Sequence, residues 1–110
     1  VPGANLTLLA NVNYDSDTVT MIDTNTNSLV ARIPVGRYPQ EITWAPDGRF
    51  VYVANNTANT VSVIDAQSMR VTATLPTPPG PTAIAVTPDG RTGYVTCTTG
   101  GVVAVLNLSA

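Results

Sequence analysis

The sequence predicts an all-β chain of about ten short strands, built from a four-strand unit that recurs every 42 residues. The recurrence is the first observation behind this prediction. Ile22 and Ile64, Asp23 and Asp65, Pro39 and Pro81, and Pro46 and Pro88 all stand 42 residues apart. Between residues 18–49 and 60–91, 12 of 32 positions are identical, where chance at average residue usage would give about two. The second is a repeated Pro-Asp-Gly, at 46–48 and 88–90. Pro presets the first turn position and Gly accepts the left-handed one, so this tripeptide reads as a tight hairpin turn. The third is composition. Hydrophobic residues make up 44% of the 110 and charged residues 11%, which is too apolar for disorder. Thr and Val abound, and β-branched side chains suit a pleated surface.

Each period divides into four strands. Strand A is predicted over residues 40–45 and 82–87, directly before the two Pro-Asp-Gly turns. Strand B follows at 50–55 and 92–97, and at 6–11 in the first unit. There Leu8-Leu9-Ala10-Asn11 matches Tyr52-Val53-Ala54-Asn55 at a step of 44, which puts two extra residues in the loop 12–17. Strand C covers 18–23, 60–65 and 102–108, and strand D covers 29–34 and 71–76. In strand C both faces carry apolar residues, as a sheet packed on both sides requires. Asp23 and Asp65 close strand C before Asn- or Ser-containing turns, where a carboxylate accepts backbone N–H bonds. They read as turn-formers.

A four-stranded repeat of about 40–45 residues is a propeller blade. Tyr52-Val53-Ala54-Asn55 and Tyr94-Val95-Thr96-Cys97, each just after Pro-Asp-Gly-Arg, resemble the YVTN β-propeller repeat, as does Thr60-Val61-Ser62-Val63-Ile64-Asp65. The departure is Cys97, where that motif has Asn. The resemblance implies antiparallel blades around a central axis with strand A innermost. It also implies an extracytoplasmic setting, in a secreted, periplasmic or surface protein. The chain then holds about two and a half blades of a partial propeller: 1–39 as B-C-D, 40–81 as A-B-C-D and 82–110 as A-B-C. Related blades occur in sugar-lactone hydrolases and redox enzymes, so fold does not fix function.

Several functions are disfavoured by residue content. Net charge is −2 and the five Arg are scattered, so no basic stripe faces a nucleic acid. A lone Cys permits no internal disulfide and, without His, no zinc site. The longest apolar run, 102–106, is too short for membrane insertion. With no His and no Lys, and Glu41 the only glutamate, the commonest general base and the Schiff-base amine are missing. No Ser stands in a G-x-S-x-G setting and no Gly-rich phosphate loop occurs. The reading is no catalytic residue and no cofactor. Asn5, Asn55 and Asn107 begin glycosylation sequons, about as many as chance supplies in so Asn- and Thr-rich a chain.

Two groups of residues stand out as candidate sites. Asn11, Asn13, Asp15 and Asp17 alternate, so an extended segment would put them on one face, as a calcium loop could use. The Gly and Glu of an EF-hand are missing, and turn chemistry alone accounts for these residue types. The second group comes from comparing repeats, since residues that break the repeat are free to serve a site. Arg37, Tyr38, Gln40 and Glu41 stand where the next repeat has Pro79, Gly80, Thr82 and Ala83. They are expected together at the D–A loop, near the inner ends of the blades, as a ligand site or a solvated loop. Trp44 is expected to pack between blades and Cys97 to be a small buried residue.

The leading expectation is a non-catalytic binding or structural module, for a protein or carbohydrate ligand. The alternatives are an enzyme propeller whose catalytic residues lie on other blades, and an extracytoplasmic sensor domain of a membrane receptor. The start at Val1-Pro2-Gly3 and the incomplete end blades, with no cap-like sequence at either end, read as a piece of a longer propeller. Self-association, or packing on the remaining blades, is the expected consequence.

Overall fold

The computed structural model describes residues 8–108. They form ten strands and no helix: β1 (Leu8–Asn13), β2 (Thr18–Asp23), β3 (Ser28–Pro34), β4 (Pro39–Trp44), β5 (Phe50–Asn55), β6 (Thr60–Asp65), β7 (Arg70–Pro76), β8 (Pro81–Val86), β9 (Thr92–Cys97) and β10 (Val102–Asn107). These make three antiparallel sheets, ordered β1-β2-β3, β4-β5-β6-β7 and β10-β9-β8. The chain is thus a partial propeller with one four-stranded blade between two three-stranded ones.

Short-range chemistry sets the turns. The Gly48 N–H donates to Ala45 O at 2.9 Å and the Gly90 N–H to Thr87 O at 2.8 Å. Both glycines have φ of 75°, the left-handed residue of a three-residue hairpin loop. Asp23 Oδ1 accepts the Asn25 N–H at 2.9 Å, and Asp65 Oδ1 accepts the Gln67 N–H at 2.8 Å. The repeated aspartates are turn-formers, as the sequence predicts. Asp89 accepts the Thr87 hydroxyl and the Arg91 N–H, and these bonds hold its carboxyl below the usual carboxylate range.

The blades pack face to face. Ala10, Val19, Met21 and Ile33 of the first meet Ile42, Val51, Val53 and Ile64 of the second, with Trp44 against their edge. The other face of the second blade sets Tyr52 and Val61 against Ile84, Val95 and Cys97 of the third. Alternation along each strand feeds both interfaces from a single sequence.

The first blade departs from expectation in register. β1 covers Leu8–Asn13, ending at Asn13 rather than Asn11, with residues 6 and 7 of the expected strand outside the described residues, and Asn13 pairs with Thr18 as Asn55 pairs with Thr60. The step is therefore 42 throughout, and the B–C loop of the first blade holds no extra residues. The reason is a side-chain bracket. Asn13 Nδ2 donates to the hydroxyls of Thr18 and Thr20 at 3.1 and 2.7 Å. Asn55 Nδ2 donates to those of Thr60 and Ser62 at 3.2 and 2.8 Å. In the third blade the bracket becomes Cys97, Val102 and Ala104. Replacing donor and acceptors together leaves no orphaned polar group, whereas replacing one alone costs about 1–3 kcal/mol. Cys97 is buried and free, and Asn55, fully buried, is inaccessible as a glycan acceptor.

Burial at the second interface has a pH signature. It pushes the Tyr52 hydroxyl above the ordinary value of 10.0, and the charge of Asp47 adds to the effect. A raised folded value means that the unfolded chain ionises first. The stability Tyr52 contributes is complete below its unfolded value and disappears as pH climbs through the folded one. Tyr52→Phe is expected to flatten the alkaline fall in melting temperature above about pH 10. An unchanged alkaline limb would assign that fall to other groups.

Candidate functional site

The two D–A loops share one backbone frame. Asp17 and Asn59, 42 residues apart, hold left-handed turns with φ of 56° and 58°. Asp17 accepts the Val35 N–H at its backbone oxygen and the Tyr38 N–H at Oδ1, both at 2.9 Å. Asn59 does the same for Thr77 and Gly80, both at 3.0 Å. Each loop then accepts from the B–C loop of the following blade. Asn56 N–H donates to Tyr38 O and Thr98 N–H to Gly80 O, both at 2.9 Å. A Cβ on Gly36 would stand 2.8 Å from Asn55 Cγ, so this frame tolerates only glycine over the Asn55 bracket.

On this common frame the side chains differ. Position 38 and its equivalent 80 are left-handed, with φ of 55° and 78°. Gly80 is required, since a Cβ would stand 2.8 Å from the Thr99 backbone nitrogen. Tyr38 takes the same backbone with a full side chain, a strain of about 1–2 kcal/mol. Met69 holds a similar φ of 56°, but its side chain packs on the first core. Tyr38 has no such compensation, being 47% exposed. Its ring instead lies against Tyr14, with centroids 5.5 Å apart and planes at 31°. Tyr14 is itself 48% exposed and stands where the next repeat has Asn56, whose amide donates to Pro81 O at 3.2 Å.

Arg37 and Tyr38 line an open cleft of about 250 Å³ with Asp17 and Thr57. Gln40 and Glu41 are outside this lining. Gln40 sits in the β-bulge between Pro39 and Glu41, and the exposed Glu41 pairs with Ala54. Repeat comparison finds Arg37 and Tyr38 but misses Tyr14, because the two-residue misregister hides its counterpart Asn56.

The possible calcium ligands are otherwise engaged. Asn13 turns its amide on Thr18 and Thr20, and Asn11 Nδ2 donates to Asn13 Oδ1 at 3.2 Å. Asp17 Oδ1 holds the Tyr38 N–H, and Asp15 is exposed. Among the described residues, no three His, Cys, Asp or Glu side chains gather as metal ligands.

Known proteins agree with this architecture. No curated protein matches the chain. Among solved structures it is similar to hydrazine synthase of Kuenenia stuttgartiensis, at 27% identity and a TM-score of 0.94, over 98% of this chain and 31% of that one. The dihydro-heme d1 dehydrogenase NirN is similar at 27% identity and a TM-score of 0.84, over 98% of this chain and 23% of that one. A candidate 6-phosphogluconolactonase from Bacteroides uniformis shares the fold, at 18% identity and a TM-score of 0.83, over 97% of this chain and 34% of that one. The chain thus spans about a third or less of each. The family model of a YNCE-like β-propeller matches residues 44–110. With more than half its length matched and the blade fold throughout, the chain belongs to the YNCE-like β-propeller family.

Proposed function

We propose that the chain is a non-catalytic binding module of a secreted or cell-surface propeller, with its binding face at the loops joining the first two blades. Tyr38 carries this reading. A strained backbone that supports an exposed ring, where the repeat partner is glycine, is retained for contact rather than for packing. Arg37 beside it supplies five donors in a fixed fork. The chain has no His and no Lys, so a general base or amine nucleophile would have to come from other blades. The extracytoplasmic setting rests on the YVTN resemblance alone.

Tyr38→Gly tests the reading. Relief of left-handed strain gains about 1–2 kcal/mol. Lost ring contact with Tyr14 costs about 0.5–1.5 kcal/mol, and the freer unfolded chain about 0.4–1. These nearly cancel, so the melting temperature should barely move. A loss above about 2 kcal/mol would mark Tyr38 as a packing residue and remove the site.

The enzyme alternative draws support from the two neighbours at 27% identity, a synthase and a dehydrogenase by name. It would place the catalytic groups on blades beyond residues 1–110. His and Glu clustered near the axis in flanking sequence would select it.

A further inference from the structure

We infer that the Tyr14–Tyr38 ring pair, with the cleft that Tyr38 lines, is a subsite for a neutral saccharide; this rests on the binding-face reading above and gives it a ligand class. Two half-exposed rings, 5.5 Å apart and tilted by 31°, offer an open apolar platform of the kind a pyranose covers with its C–H face. In the cleft that Tyr38 lines stand the groups that sugar hydroxyls engage. Arg37 donates, Asp17 accepts, and Thr57 does either.

Charge selects among ligands. The lining carries one cation, Arg37, and one anion, Asp17, so the cleft is neutral overall, in a chain of net charge −2. Nothing there favours a phosphate or a uronate over an uncharged sugar.

Backbone hydrogen bonding argues against a peptide. The Tyr38, Asn56, Thr57 and Ala58 N–H groups are all used within the clasp. No donor row remains for an added strand, the commonest way a sheet protein holds an extended peptide. The cleft is also shallow, with no apolar socket for an anchoring side chain. The second junction lacks the platform, having Asn56, Pro79 and Gly80 at these positions, and so provides an internal control.

The test is a titration of the isotope-labelled 110-residue chain followed by amide and tyrosine-ring NMR. The probes are cellohexaose, maltohexaose and chitohexaose, with polygalacturonate oligomers and an acidic peptide for comparison. At least one neutral oligosaccharide should shift Tyr14, Tyr38 and Thr57, with a dissociation constant on the order of 1 mM. Tyr38→Phe should retain binding. Tyr38→Gly and Tyr14→Ala should weaken it about tenfold or more, and Thr99→Ala at the second junction should leave it unchanged. Shifts caused only by the peptide or the polygalacturonate would overturn the saccharide while keeping the binding face. Silence toward every probe would also overturn it, and the melting temperature of Tyr38→Gly would then judge the binding face separately.

Discussion

Ile64→Ala is expected to lower the unfolding free energy by about 2–5 kcal/mol. Ile64 is fully buried in the cluster that joins the first two blades. Truncation removes apolar contact from both blades at once and leaves a cavity that paired strands on either side resist closing. Domains of this size are stable by only about 5–15 kcal/mol. At about 4–8 °C per kcal/mol, a fall of roughly 10–30 °C should appear in a thermal melt followed by circular dichroism. Leu29→Ala is the control. Leu29 is also a large aliphatic residue, but it is 59% exposed on β3, and its loss should stay within about 0.5 kcal/mol. Equal losses for the two variants would mean that the interblade cluster is not what holds the blades together.

The features legible in the sequence are those written twice. The period, the Pro-Asp-Gly turns and the terminal aspartates of strand C recur with the same physical job, so each copy supports the reading of the other. The first unit had no Pro-Asp-Gly turn to anchor it. Leu8-Leu9-Ala10-Asn11 looks like Tyr52-Val53-Ala54-Asn55 by residue type, yet it sits two residues out of place. The usable signal was the bracket: an Asn, then a hydroxyl residue five positions on and another two beyond that. Asn13, Thr18 and Thr20 fit this spacing, as do Asn55, Thr60 and Ser62. At the candidate site, Arg37 and Tyr38 were visible as breaks in the repeat. The Tyr14–Tyr38 contact was not, because it joins a B–C loop to a D–A loop through a left-handed backbone that residue types alone do not reveal.

The third blade is expected to make the 110-residue chain self-associate. Its outward face presents Tyr94, Val103 and Val105, exposed by 45%, 60% and 65%. The equivalent face of the second blade presents Tyr52, Val61 and Val63, and there Tyr52 and Val61 are buried, at 3% and 0%, by the third blade itself. The same surface is thus covered at one junction and open at the next. At about 25 cal/mol per Å² of apolar area, covering it is strongly favourable, and β10 stands at the end of its sheet, where another chain's strand can add. The first blade offers it a more polar partner. Its outward face keeps the bracket Asn13, Thr18 and Thr20 that the second blade carries as Asn55, Thr60 and Ser62, and puts Asn11 where the later blades have Val53 and Val95. The polar exchange at Asn11 weakens that match, so we expect contact through two third blades. Light scattering at about 0.1 mM should give a molar mass well above 11.4 kDa, falling toward the monomer with Val103→Lys and Val105→Lys combined, because paired lysines on an edge strand block pairing. Asn11→Lys on the exposed face of the first blade should leave the mass unchanged. A mass that falls with the first-blade variant instead would mean that the first blade takes part in the contact, and a monomeric unmodified chain would mean that the open face of the third blade is stable in water.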